Sequence, residues 1–87
     1  MIKLIKENIS KGNTEKALEK TRLVFKRHKI SNNDVILLMN QFKSITKDYS
    51  IGKIGHSYLY KNMNRINSAI LSLLDLNKAV LKKTLSY

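Results

Sequence analysis

The stretch Ile51-Gly52-Lys53-Ile54-Gly55 decides the fold, because it separates two long apolar stripes by only a few residues. The chain has 87 residues with no proline and three glycines, and two of those glycines bracket this stretch. Glycine adopts backbone angles that other residues avoid, so the pair predicts a tight turn. Helices joined by about five residues lie antiparallel. The sequence therefore predicts a long helical hairpin made of residues 31–50 and 56–80.

Both arms of this hairpin carry apolar residues at helical spacing. The stripe of the first arm is Val35, Leu38, Phe42, Ile45 and Tyr49. The stripe of the second arm is Leu59, Met63, Ile66, Ile70 and Leu73, broadened by Ala69, Leu74 and Leu81. We expect Ser31 to cap the first arm and Asp34 to complete a variant capping box. The second arm should begin near His56 and run past Lys78.

Two shorter helical segments precede the hairpin. The first carries Ile2, Ile5 and Ile9 and should end at Gly12, and Asn13 or Thr14 should cap the second. The second segment has one apolar face, formed by Ala17, Leu18, Thr21, Val24, Phe25 and His28. These two segments must pack against the apolar residues that the two arms of the hairpin leave exposed. The sequence thus predicts an all-α fold, a small bundle of about four helices, with residues 1–87 as a single domain.

Residues with catalytic or metal-binding potential are sparse. The chain has no cysteine, so disulfides and thiolate metal sites are excluded. Its two histidines, His28 and His56, have no carboxylate nearby in sequence, which favours structural or surface roles. The glycines form no phosphate-binding loop. We therefore expect a non-catalytic protein without a cofactor.

Neither a secretory signal nor a membrane span is recognisable. Residues 1–12 carry charges every few positions and lack an apolar core segment. No apolar run approaches the roughly 18 residues that a membrane helix needs. We expect a cytoplasmic protein that does not associate with membranes.

The net charge of +11 arises from 17 Lys and Arg against 6 Asp and Glu. It has two competing explanations: binding to nucleic acid or another acidic surface, or the lysine, asparagine and isoleucine bias of an AT-rich genome. The candidate basic interaction patch is Lys20, Arg22, Lys26, Arg27 and Lys29. Aromatic residues able to stack on bases are few, and the candidates are Tyr58, Tyr60 and Tyr87.

Arg65 stands in the apolar segment Met63–Leu76 and has two interpretations. It could hydrogen-bond Gln41 or Asp48 across the hairpin, as a buried guanidinium would require. Alternatively, it could lie on a second face of the helix and contact a partner.

Some apolar residues fall outside the main stripes of the hairpin. The candidate apolar interface is Ile36, Leu37, Leu71 and Leu74. A bundle of this size buries only about 60% of the surface of its unfolded chain, and residual apolar patches tend to mark protein interfaces. We expect a homo-oligomer that uses the outer faces of residues 35–50 and 58–76.

Several segments together resemble a known family. These are residues 39–48 (MNQFKSITKD), 51–54 (IGKI) and 64–75 (NRINSAILSLLD), with residues 9–18 (ISKGNTEKAL) fitting a first hairpin. Over residues 2–77 the chain is similar to the effector-associated domains, type eleven, of bacterial conflict systems. The family tends to have acidic residues after the turn, where this chain has Ser57 and Tyr58.

The resemblance implies an all-helical, non-catalytic adaptor module. Such modules are joined to or paired with effectors such as peptidases, TIR-like enzymes or signalling NTPases, and contacts between like domains bring effector and sensor together. Two other functions remain open: a small basic protein that binds nucleic acid or another acidic surface, and a small inhibitor or structural protein of a mobile element.

Overall fold

The computed structural model describes residues 1–85, and these form five α-helices. The helices are α1 (Ile2–Ser10), α2 (Thr14–Arg27), α3 (Asn33–Ser50), α4 (His56–Leu76) and α5 (Lys78–Leu85). α3 and α4 form the hairpin, α2 packs across both, and α1 packs against α2 and α4. The part of the chain that the structure describes contains no β-strand, so the predicted all-α bundle is confirmed.

The core lies at the end of the hairpin where α3 begins and α4 ends. Its members are buried apolar side chains from all five helices: Ile5, Ala17, Leu18, Val24, Phe25, Val35, Leu38, Ile66, Ile70, Leu74 and Leu81. Each of these residues belongs to one of the predicted apolar stripes. Thr21 is buried among them because its hydroxyl donates to the carbonyl oxygen of Ala17, 2.7 Å away on the preceding turn.

Three helices end in the same way. At Gly12, Lys29 and Gly52 the backbone takes the left-handed conformation, with φ of 77°, 57° and 80°. After α2, for example, the Lys29 N–H donates to the Lys26 carbonyl oxygen at 3.2 Å and the Ile30 N–H to the Phe25 carbonyl oxygen at 2.8 Å. This is the Schellman arrangement, which satisfies carbonyl groups that a helix end leaves open. Lysine is unusual in this place, since a Cβ disfavours left-handed angles.

Replacing Lys29 with glycine should therefore stabilise the domain. We expect Lys29→Gly to raise the free energy of unfolding by about 0.5–1 kcal/mol, because glycine relieves the left-handed strain. Lys29→Ala is the matched control: it removes the same charge and keeps the strain, so its stability should not rise. Urea unfolding of the three proteins makes the comparison. Equal effects of the two substitutions would show that charge, and not backbone strain, governs this position.

The start of α3 differs from the prediction by one residue. Asn32, and not Ser31, precedes the helix, and no side chain caps its first turn. The Ser31 hydroxyl accepts only a long bond, 3.4 Å, from the Asn33 N–H, and the predicted capping box with Asp34 is absent. The Ile30 N–H is hydrogen-bonded to the Phe25 carbonyl oxygen of α2. Two further residues are therefore needed before the chain can begin α3. The Oδ1 atom of Asn32 is buried there without a hydrogen-bond partner.

Thr14 makes a long-range contact and does not cap α2. Its hydroxyl donates to Oδ1 of Asn67 at 2.9 Å, a bond between residues 53 positions apart. Thr14 is almost completely buried, so this bond satisfies a hydroxyl that water cannot reach. It fixes the beginning of α2 against the middle of α4.

Loss of this bond should destabilise the fold. We expect Asn67→Ala to lower the free energy of unfolding by about 1–2 kcal/mol, since it leaves the buried Thr14 hydroxyl unpaired. Asn62→Ala is the control on the same helix, because the Asn62 amide donates only to the Tyr58 carbonyl one turn before it. Its effect should stay within about 0.5 kcal/mol. A double-mutant cycle with Thr14→Val measures the coupling, and strict additivity would contradict this role.

The second arm of the hairpin ends earlier than predicted. α4 stops at Leu76, so the expectation that it runs past Lys78 is wrong. The Leu73 carbonyl oxygen accepts both the Asn77 N–H at 3.2 Å and the Asn77 side-chain amide at 2.8 Å. The regular helix is interrupted at Asn77, and α5 brings the buried Leu81 into the core.

Candidate interaction surfaces

The predicted basic residues extend from the middle of α2 to just beyond its C-terminus. Arg22, Lys26, Arg27 and Lys29 are exposed, and Lys20 is half-buried. Successive helical residues are about 100° apart, so Lys20 and Arg27 share one flank while Arg22 and Lys26 share the other. The cations in the last turn also have a structural reason, because positive charge is favoured at a helix C-terminus.

The predicted apolar interface does not form one patch. Leu74 is only 4% exposed and belongs to the core. Its assignment to the interface is therefore wrong, because it lies on the side of α4 that faces the bundle. Ile36, Leu37 and Leu71 are exposed. Leu37 lines a groove between α3 and α4 together with Ala69. Leu71 follows Ala69 by two residues, about 200° around the helix, and therefore lies on the opposite flank of α4.

The groove beside Leu37 is the apolar surface that the α3–α4 pair leaves open. Leu37, Ala69 and Leu73 line it, with Asp34 and Ser72 at its edge. Leu76 continues the same flank one turn after Leu73 and is 79% exposed. We call Leu37, Ala69, Leu73 and Leu76 the seam groove. Leu76 was not among the predicted interface residues, although its spacing of three from Leu73 is the signal that would have identified it.

Arg65 crosses the hairpin from α4 to α3. Its Nη2 donates to Oε1 of Gln41 at 3.2 Å, and the guanidinium is exposed to solvent. Gln41 is thus the partner, while Asp48 lies two turns further along α3, about 10 Å away along the axis. Arg65 is therefore not a buried cation that needs compensation.

Removing this exposed contact should have little effect on stability. We expect Arg65→Leu to change the free energy of unfolding by less than about 0.5 kcal/mol, as is usual for exposed polar pairs. Thermal or urea unfolding measures the difference, and Gln41→Leu should behave alike. A loss well above this value in both variants would instead show that the bridge holds the hairpin together.

Aromatic rings gather at the turn of the hairpin. The rings of Tyr49 and His56 stack with centroids 5.4 Å apart and planes 13° from parallel. The Tyr60 ring also contacts the His56 ring, and their centroids are 4.8 Å apart. Ile51 lies in the same turn with its side chain exposed. We call Tyr49, Ile51, His56 and Tyr60 the aromatic tip.

The sequence pointed to only part of this cluster. Tyr60 was a candidate for stacking, and His56 was assigned a structural or surface role without a ring partner. The spacing of four between them, on the first turn of a helix, was the available signal. Of the other predicted stacking residues, Tyr58 is exposed, and Tyr87 lies outside the described residues.

The described residues contain neither a metal-binding cluster nor a membrane-spanning helix. No group of three or more His, Cys, Asp or Glu side chains in this part of the chain could hold a metal ion. Within the same residues, no helix has both the length and the apolarity to cross a bilayer.

The family model described as effector-associated domain 11 matches residues 1–77. Neither a curated protein nor a solved structure matches the chain.

Proposed function

Because the chain belongs to the effector-associated domain 11 family, we propose that it is a non-catalytic adaptor that couples an effector to a sensor or NTPase in a bacterial conflict system. The match covers α1 to α4 and so includes the whole hairpin and its cover. The proposed partners are proteins: a domain of the same type, an effector or an NTPase module. Residues 1–87 would act as one domain in the cytoplasm.

The observation that carries this proposal is the seam groove. It presents leucines from two helices at the surface, and the side chain of Leu76 is largely exposed. Apolar side chains that line a groove with a polar edge are typical of protein-binding sites. Two copies related by a twofold axis can place the same groove against itself, so that each copy covers the leucines of the other. Contact between like domains would therefore use this face.

The charge of the chain sets the conditions for this contact. Each copy carries +11, so two copies repel each other at low salt. Salt screens this repulsion, with a Debye length of about 10 Å at 0.1 M. Self-association should therefore strengthen as salt rises. Binding to nucleic acid follows the opposite trend, because salt weakens contacts between lysine or arginine and phosphate.

Light scattering over a range of protein concentrations, at low and high salt, tests the homotypic contact. We expect a dimer or higher oligomer whose population grows with salt. Leu76→Ser should weaken association about tenfold or more, because it removes the most exposed leucine of the seam groove. A monomer at high micromolar concentration under both conditions would contradict the homotypic part of the proposal.

Leu71→Ser is the matched control. Leu71 is an exposed leucine on the same helix, on the flank opposite the seam groove. Its substitution should leave association unchanged. Equal weakening by both substitutions would show that the contact uses a different face of α4.

A nucleic-acid-binding protein is the second candidate, and the basic end of α2 is the observation in its favour. A fluorescent oligonucleotide distinguishes the two functions. Affinity that falls steeply with salt and is lost with Lys26→Ser and Arg27→Ser would favour the nucleic-acid function over the adaptor.

A further inference from the structure

The half of the hairpin next to the turn has no cover. Among residues 39–65, all of which the structure describes, no side chain is buried. The reason is the length of α2, which has 14 residues against 18 in α3 and 21 in α4. Its first residue, Thr14, lies beside Asn67 in the middle of α4. Beyond that level α3 and α4 continue toward the turn without a third helix.

The part of the hairpin next to the turn, residues 42–63, is termed the distal half. At its inner boundary Phe42 and Ile45 pack against the edge of the core, and Phe42 lines a groove with Leu18 of α2. Its apolar side chains continue the stripes that form the core elsewhere: Phe42, Ile45, Tyr49, Ile54, Leu59 and Met63. Tyr49 is exposed and the other five are half-buried. Two helices alone cannot enclose such a stripe, whereas a third helix does so in the other half of the same hairpin. The distal half is therefore an incomplete bundle.

The aromatic tip at its end is already ordered for binding. The turn is held by two backbone bonds, from Gly52 N–H to the Tyr49 carbonyl oxygen at 3.1 Å and from Lys53 N–H to the Asp48 carbonyl oxygen at 2.8 Å. The stacked rings restrain one another. Tyrosine that is fixed before binding loses little conformational entropy in a contact, which is why it is frequent among residues that dominate binding energy.

Charge restricts what can cover the distal half. It contains four lysines, at positions 43, 47, 53 and 61, and one acid, Asp48. A second copy would bring the same excess of positive charge to the same place, so an acidic partner is favoured over self-association here. Bases of single-stranded nucleic acid would stack on the tyrosines but would leave the aliphatic side chains of Ile45, Leu59 and Met63 uncovered, so an amphipathic helix fits the whole surface better.

We propose that the distal half of the hairpin binds an amphipathic, acidic helix of a partner protein. The apolar face of that helix covers Ile45, Tyr49 and Leu59, its end contacts the aromatic tip, and its acidic edges lie beside the lysines. This docking site is separate from the seam groove and does not depend on the homotypic contact.

A designed helical peptide serves as the probe. It is about two heptads long, with leucine at the a and d positions and glutamate around them. Titrated into the isotope-labelled chain, it should shift the amide signals of Tyr49, Ile51, His56 and Tyr60 and leave those of the seam groove unchanged. A peptide with alanine in place of leucine keeps the charge and helicity, and should bind at least about tenfold more weakly.

Variants of the full chain complete the test. Ile51→Ser and Tyr60→Ser should each weaken peptide binding about tenfold or more. Leu23→Ser, which alters an exposed leucine on α2, should leave it within about twofold. Circular dichroism confirms that all three variants remain folded.

Four results would overturn the proposal. The first is absence of amide shifts at the aromatic tip, and the second is equal binding of the alanine peptide, which would indicate charge attraction alone. The third is equal weakening by Leu23→Ser. The fourth is displacement of the peptide from the tip by a single-stranded oligonucleotide at lower concentration, which would assign the surface to nucleic acid. Each of these leaves the seam-groove contact standing, since that contact is measured by self-association.

Discussion

The short connection between α3 and α4 is the constraint on which the rest of the structure depends. Residues 51–55 contain a left-handed glycine and a second glycine that precedes α4 in extended conformation. A connection of this length leaves the two helices no arrangement other than side by side and antiparallel. Their apolar stripes then face the same side, and the task of the remaining helices is to cover that side.

Helix α2 is shorter than the apolar surface of the hairpin on which it packs. α2 is fixed at Asn67 by the bond from Thr14, and from there it extends toward the beginning of α3. The core therefore fills only one half of the hairpin, and the other half keeps its apolar residues partly in contact with water. The distal half is a consequence of this unequal length.

The fold could be predicted from the sequence because its signals are local. Apolar periodicity placed every buried apolar residue on a predicted stripe, although Leu74 was also assigned to the candidate interface. Gly12 and Gly52 identified two helix ends. Lys29 carried no such signal, because its left-handed angle is imposed by the bond from Ile30 back to Phe25. The interruption at Asn77 could not be predicted, because Leu74 and Leu81 keep a spacing of seven across it and the apolar stripe continues from α4 into α5.

The surfaces were less predictable, because they depend on how far each helix is rotated. Leu71 and Leu74 were both assigned to the candidate apolar interface, yet Leu71 is exposed and Leu74 is buried. The pairing of Arg65 with Gln41 could be predicted, because the antiparallel register places these residues opposite each other. The contact between Tyr49 and His56 could not be predicted, since it depends on the angle at which the chain leaves the turn.

The repeated helix ends have a mechanical consequence. Three of the connections are closed by the same pair of backbone hydrogen bonds, so the domain lacks a flexible joint at these places. The molecule is 47 Å long, with the seam groove toward one end and the aromatic tip at the other. Proteins bound at the two ends would be held at a fixed distance and a fixed relative rotation. With partners bound at both sites, the domain would be a rigid spacer that sets the geometry between two proteins, whereas a flexible linker sets only their local concentration.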